Sequence, residues 1–209
     1  MFIINCKNYD EISGEKIIKL AKISQKISKK YKIPIAIAPP HHLIPLIKKF
    51  NVIVLAQHLD DKKVGSTTGF MIPEIVKKSK IDGSLINHSE HRISEKEIKN
   101  LVKRLKRLKL KTVLCVKNVN ELKKYLKLNP TFIAIEPPEL IGTGRAISTE
   151  RPQLITKAVD SVKSAKNSTK LLCGAGIVSG KDVTRAKNLG SKGILVASGI
   201  VKARNWEKI

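Results

Sequence analysis

Acidic side chains are in short supply in this chain: 17 Asp and Glu face 41 Lys and Arg across 209 residues, a formal net charge of +24. Such a surplus attracts anions, whether nucleic acid, an acidic membrane or a small substrate. Aromatic residues are scarce as well, 4% of the chain, and they are not interleaved with the basic residues as base-stacking platforms require. The basic residues recur instead at polar positions of helical periodicity, as in Lys99, Lys103, Arg104, Lys106 and Arg107. Solvated helix faces account for that pattern. No specific nucleic-acid partner is therefore expected, and steering of a small anion is the economical consequence.

Cysteine is also sparse. Cys6, Cys115 and Cys173 sit in or at the ends of apolar runs, without the paired spacing of a disulfide framework or a metal site. They are expected to be reduced core residues of a cytoplasmic protein. No window reaches the apolar length that spans a bilayer, and Met1 to Tyr9 contain no basic leader ahead of a long apolar stretch. A soluble, unexported chain with no membrane partner is expected. Ser/Gly-rich and Pro-rich linkers are missing too, so residues 1–209 are expected to form one domain. No Gly-x-Gly-x-x-Gly follows the first apolar run, which disfavours a dinucleotide-binding doubly wound sheet.

What the chain does contain is alternation. Short apolar runs predict strands at Phe2 to Asn5, Ile33 to Ala38, Val52 to Ala56, Gly83 to Ile86, Thr112 to Val116, Thr131 to Ile135, Lys170 to Cys173 and Gly193 to Val196. Amphipathic stretches between them predict helices at Glu15 to Lys30, His41 to Phe50, Pro73 to Lys80, Ser94 to Leu108, Asn120 to Leu128, Arg151 to Lys166 and Lys181 to Leu189. A short one is expected after Gly199. Ser94 and Glu97 have capping-box spacing. Strands apolar on both faces, each followed by a helix, imply a parallel sheet, and eight is the number that closes into a (β/α)₈ barrel.

In a barrel of that kind chemistry collects at the C-terminal ends of the strands. Polar and small residues stand there: Asn5, Cys6 and Lys7 after the first strand; Asn87, His88, Ser89 and Glu90 after the fourth; Glu136 after the sixth. Gly174, Ala175 and Gly176 follow the seventh, and Ala197, Ser198 and Gly199 the eighth. The stretch from Ile135 to Ser148 is the most distinctive. Two prolines fix the chain beside the Glu136 carboxylate, and Gly142, Thr143 and Gly144 then free the backbone to approach a ligand.

In their order and positions these segments resemble the triosephosphate isomerase family, and in their shortness its compact archaeal-type members. The likeness extends along the whole chain and includes Ala38-Pro39-Pro40, Ala56-Gln57 and Gly65-Ser66-Thr67-Thr68-Gly69. It implies interconversion of dihydroxyacetone phosphate and D-glyceraldehyde 3-phosphate through an enediolate, with no cofactor and no metal. In that likeness Glu136 is the base, and His88 is the electrophile. Its place at the opening of a helix would keep the imidazole neutral and donating, an arrangement of which this family is the standing example.

Lys7 is the electrostatic stabiliser, Asn5 contacts substrate and helps hold Lys7, and Glu90 pairs with Lys7 in the empty site. Backbone N–H groups of Gly142, Gly176, Ala197 and Ser198 bind the phosphate. Ile141, Gly142, Thr143 and Gly144 form a lid, and Glu139 is a hinge partner. Two departures from the commoner pattern, a missing serine after the seventh strand and Ala-Ser in place of a glycine pair after the eighth, leave backbone donation intact. Thr68 matches the position that reaches into a neighbouring subunit, which implies a homo-oligomer, a tetramer in preference to a dimer. Another phosphate-binding barrel isomerase or synthase, or a non-catalytic polyanion-binding barrel, is the alternative; neither requires Lys7, His88 and Glu136 together.

Overall fold

Apolar segments of three to six residues, too short to cross water-exposed ground, pair side by side and close on themselves. The computed structural model describes Met1–Ile209. Its strands are β1 (Phe2–Asn5), β2 (Ile35–Ala38), β3 (Ile53–Ala56), β4 (Gly83–Ile86), β5 (Lys111–Val116), β6 (Phe132–Ile135), β7 (Lys170–Cys173) and β8 (Ile194–Val196), all parallel and in chain order around a closed barrel. β1 closes the ring on β8 with Ile3 opposite Leu195 and Ile4 opposite Val196. The β7–β8 seam is the thinnest, held by the single pair Cys173 and Ile194.

Side chains alternate across each strand. Ile3, Leu55, Leu85, Val113, Phe132, Leu172 and Leu195 fill the interior together with Ala36, Ala38, Ala134 and Cys115. Their neighbours, such as Ile4, Ile37, Ile86, Leu114 and Ile133, point outward into the larger layer beneath the helices. Each fully buried aliphatic side chain stabilises the fold by roughly 1.5–3 kcal/mol. The barrel is thus a packed solid, and only its rim is available for chemistry.

The helices are α1 (Lys16–Tyr31), α2 (Ile44–Ile47), α3 (Pro73–Lys78), α4 (Glu95–Arg107), α5 (Val119–Leu126), α6 (Ile147–Glu150), α7 (Pro152–Ser164), α8 (Gly180–Asn188) and α9 (Ser198–Val201). The Ser94–Glu97 capping box opens α4 as expected: the Glu97 N–H donates to Ser94 Oγ at 3.3 Å and the Ser94 N–H to Glu97 Oε2 at 2.9 Å. Asn118 caps α5 and Ser179, with Asp182, caps α8. At the other end four helices, α1, α3, α4 and α7, stop on a residue in the left-handed region that is lysine, not glycine: Lys32, Lys80, Lys109 and Lys166 all have positive φ. After α4 the Lys109 and Leu110 N–H groups donate back to the carbonyls of Lys106 and Leu105, which closes the helix end. Lysine there bears Cβ strain of about 1–2 kcal/mol, offset in part by its charge at the negative end of the helix dipole.

Some boundaries differ from the sequence expectation. β2 starts at Ile35 because Lys32 turns the chain and Pro34 has no N–H to pair. The helix expected over His41 to Phe50 is a 3₁₀ turn at His41–Leu43 followed by α2. The extra helix α6 precedes α7, and the last helix begins at Ser198, before Gly199. Trp206 packs on the core and its Nε1–H donates to the Val201 carbonyl at 3.3 Å, while Ile209 is exposed.

Candidate active site

Strand alternation decides which side chains crown the barrel. Two residues past inward-facing Ile3, Leu55, Ala134, Leu172 and Leu195 come Asn5, Gln57, Glu136, Gly174 and Ala197. Glu136 is therefore aimed inward, 6% exposed. Its N–H donates to the Val116 carbonyl at 2.8 Å, so the strand geometry persists to the residue that carries the carboxylate. Pro137 and Pro138 then end the strand.

Room for that carboxylate comes from the neighbouring strand. Ile135 pairs with Cys173, which sets Glu136 beside Gly174. A methyl group on Gly174 would stand 2.7 Å from Glu136 Oε1 and 2.8 Å from its Cδ. Below, Cys115 is buried, and burial, reinforced by the Glu136 charge, pushes its thiol well above the ordinary cysteine range. It stays protonated and does not compete as a nucleophile. Glu136 Oε2 is buried without a hydrogen-bond partner, and Oε1 lies 3.7 Å from His88 Nε2. A buried carboxylate oxygen without a donor keeps its lone pairs free to accept.

His88 reaches the rim through an irregular strand end. Asn87 takes a left-handed φ of 60°, with its Nδ2 donating to the Cys115 carbonyl at 3.1 Å and its Oδ1 accepting the Ile93 N–H at 3.2 Å. That twist turns the following residue inward, and His88 is buried. The expectation that His88 opens a helix is not met: a turn closed by the His91 N–H to the His88 carbonyl at 2.8 Å follows, and α4 starts only at Glu95. The imidazole is oriented by another device. The Glu90 N–H donates to Nδ1 at 3.3 Å, so in the neutral ring the proton is on Nε2, which faces the cavity.

Lys7 occupies a left-handed φ of 46°. Its N–H donates to Asn5 Oδ1 at 3.1 Å, and its carbonyl accepts from Gln57 Nε2 at 2.8 Å. The ammonium pairs with Glu90 Oε1 at 2.6 Å, as expected for the empty site. Asn5 Nδ2 lies 3.4 Å from His88 Nε2, so two donors from the first and fourth strands face the mouth side by side.

A small cavity of about 40 Å³ is lined by residues that include Asn5, Lys7, His88, Glu136, Ile141, Gly142, Gly144, Gly176, Ala197 and Ser198, which is nearly the whole expected set. Gly176 has φ +69° and a methyl there would run into the backbone at Arg145 and Ala146, so this loop and the loop after β6 meet with no room for a side chain. Ala175, also left-handed, accepts the Ile147 N–H at 3.3 Å and ties the same two loops together. Thr143 does not line the cavity; its Oγ1 donates to the Leu140 carbonyl at 2.9 Å and accepts the Arg145 N–H at 3.1 Å, inside the loop after β6. Glu139 pairs with Arg151 at 3.0 Å, and Arg145 with Glu150, one ion pair at each end of that loop. Thr68 lies on the exposed segment after β3 and lines no part of this cavity.

Sequence reasoning named Gly174 only as part of a small-residue loop, without the room it leaves for Glu136, and Gln57 only as part of a motif. A donor two residues beyond the inward-facing Leu55 was the available signal for Gln57.

The comparisons with known proteins agree along the full chain. The family model described as "Triosephosphate isomerase" matches residues 1–209. Triosephosphate isomerase of Cenarchaeum symbiosum (strain A) is 53% identical over 203 residues, 97% of this chain and 91% of that protein. That of Methanocaldococcus jannaschii is 41% identical over 209 residues, 100% of this chain and 95% of that protein. That of Saccharolobus solfataricus is 41% identical over 210 residues, 100% and 92%.

Proposed function

This chain belongs to the triosephosphate isomerase family, and we propose that it interconverts dihydroxyacetone phosphate and D-glyceraldehyde 3-phosphate with Glu136 as the base, His88 as the electrophile and Lys7 as the stabilising cation. The base takes a proton from the carbon beside the substrate carbonyl and the electron pair moves to the carbonyl oxygen. The resulting enediolate collapses once the neighbouring hydroxyl has passed its proton to that oxygen: the hydroxyl oxygen becomes the new carbonyl as the same carboxyl group returns the proton to the adjacent carbon. A carboxylate on a short side chain serves both carbons by a small shift. The single observation that carries this reading is the buried, unpartnered Glu136 Oε2, beside a second oxygen 3.7 Å from His88 Nε2.

His88 Nε2–H donates to the oxygen that gains charge, and the Lys7 ammonium offsets both that charge and the phosphate. Asn5 holds the backbone of Lys7 in its strained conformation. The phosphate rests on backbone N–H groups at Gly142, Gly176, Ala197 and Ser198, where small residues let it come close. The Ile141 to Gly144 lid closes over it. Closure excludes water from an intermediate that otherwise loses phosphate, a behaviour for which this family is a standing example.

A coupled assay on wild type and Glu136→Gln tests the assignment. Turnover is expected to fall by about 10²–10⁴-fold, with retention of a phosphate-bearing inhibitor little changed. A near-normal rate in the variant would remove Glu136 as the base.

The working form is a homo-oligomer in the cytoplasm, a tetramer in preference to a dimer. The segment bearing Thr68 supports this, flanked as it is by exposed Val64 and Phe70, apolar surface that a second copy would cover. Three buried free thiols suit a reducing compartment. Light scattering that returned only monomer at assay concentrations would overturn the assembly.

A further inference from the structure

Beside the substrate cavity lies a second cleft, and all five histidines of the chain line it. His88 already has a place in the reaction; the other four do not. His41 and His42 come from the turn after β2, His58 from the end of β3, and His91 from the same turn as His88. The His58 and His91 rings stack with centroids 3.7 Å apart and planes 13° from parallel. His58 Nε2 is 3.4 Å from Asp60 Oδ1. No three of these groups converge on one point as metal ligands do.

What the imidazoles do hold is the catalytic backbone. His41 Nε2 accepts the Gln57 N–H at 3.1 Å, and the Gln57 side chain donates to the carbonyls of Lys7 at 2.8 Å and Ala38 at 3.0 Å. Lys7 is the left-handed residue whose ammonium faces the substrate, and its conformation persists only where its surroundings over-determine it. On the other side, the His91 N–H closes the turn that fixes His88, and its ring leans on His58. We propose, on the basis of the isomerase reading, that His41 is a positioning residue which, through Gln57, holds Lys7 in place only while its ring is neutral. The site then disengages as this cleft takes up protons.

The chemistry of imidazole gives the direction. A neutral ring nitrogen accepts; once protonated, both nitrogens are donors, and the Gln57 N–H would face a donor. Protons on both His58 and His91 would set two cations face to face. His41 faces His58, His91, His42 and Asp60; His58 faces His91, Asp60 and Glu97 of α4. On the wall shared with the substrate cavity, Lys7 and Glu90 satisfy each other. The carboxylates favour protonation, yet burial first, then the neighbouring imidazoles, hold His41 and His58 below the usual histidine range. A histidine with a lowered folded value adds stability that is fully present above its unfolded pKa of about 6.5 and is lost as pH falls toward the folded one. The neutral, engaged arrangement is therefore the one at neutral pH.

The test measures kcat and KM from about pH 8 down to about pH 5 for wild type, His41→Gln and His41→Leu in their native assembly. At about pH 8, His41→Leu is expected to lower kcat/KM by about tenfold, because the Gln57 N–H loses its acceptor. His41→Gln, whose side-chain carbonyl accepts but does not titrate, is expected within about threefold of wild type there and to lose less rate on acidification. The substrate and the catalytic side chains are the same in all three proteins, so the difference between profiles belongs to the cleft. A Gln variant that follows the wild-type profile throughout, or a folded Leu variant equal to wild type at about pH 8, would overturn the proposal.

The Gln57 backbone amide gives a second readout by NMR. Its resonance is expected to titrate over the pH range in which wild-type kcat/KM declines, and a static resonance overturns the coupling. Wild type that turned over no triose phosphate at any pH would instead remove the isomerase reading. The amide would then decide the histidine coupling alone: movement supports it and stasis overturns it.

Discussion

Replacing Gly174 with alanine adds one methyl group and changes nothing else in the chain's chemistry. Gly174 does not use a left-handed φ, so alanine is conformationally allowed there and the effect is one of volume. The new carbon would lie 2.8 Å from Glu136 Cδ and 2.7 Å from Oε1. Non-bonded carbons settle at about 3.5–4.0 Å, so something must give by roughly 1 Å. The backbones cannot easily do so: the Gly174 N–H donates to the Ile135 carbonyl at 3.0 Å, and four residue pairs lock β6 to β7. The carboxylate must move. A misplacement of about 1 Å at a reacting group costs about 10²-fold in rate, or about 2.7 kcal/mol of transition-state stabilisation. Because Gly142, Ala197 and Ser198 lie on other loops and Gly176 is pinned against the backbone at Arg145 and Ala146, the phosphate grip should persist and KM change by less than about fivefold. Overpacking should also lower stability by about 1–3 kcal/mol. Steady-state kinetics with a thermal melt measure both. Gly180→Ala is the control, since a methyl group there meets nothing within 4 Å and kcat should be unaltered. A folded Gly174→Ala enzyme with kcat within about threefold of wild type would refute the reasoning.

Gly144 has φ +72°, which proline cannot adopt, so Gly144→Pro should lower kcat by about tenfold or more and raise the inorganic phosphate released per turnover; no change in either would remove the lid role. Lys109, left-handed at the end of α4, lies away from the cavity, and Lys109→Gly should raise stability by about 0.5–1 kcal/mol without altering kcat; an unchanged or lower denaturant midpoint would show that its charge at the helix end outweighs the relief of strain.

The barrel was legible because its signal is repetitive. Runs such as Ile3-Ile4 and Ile133-Ala134-Ile135, apolar on both faces, have few other places to bury, and the eightfold alternation left one closed solution. Asn5, Lys7, His88 and Glu136 were legible because polar residues at the ends of buried strands have no packing reason to be there. Local geometry was less accessible. The turn after His88 depends on Asn87 adopting a left-handed φ and on its bonds to Cys115 and Ile93, partners remote along the chain or hidden in a loop. α6 is four residues long, below the span at which periodicity declares itself. The histidine cleft was invisible for a different reason: its members come from three separate loops, and no spacing along the chain relates them.

The lysines that end the helices have one further consequence. In a barrel of alternating strands and helices, helix C-termini gather at the end opposite the catalytic rim. Lys32, Lys80, Lys109 and Lys166 therefore place strained backbone where the reaction does not sense it. That far end is slack in the evolutionary sense: it can drift, lose charge or be tightened residue by residue, and the change registers in the melting temperature while the chemistry goes on undisturbed.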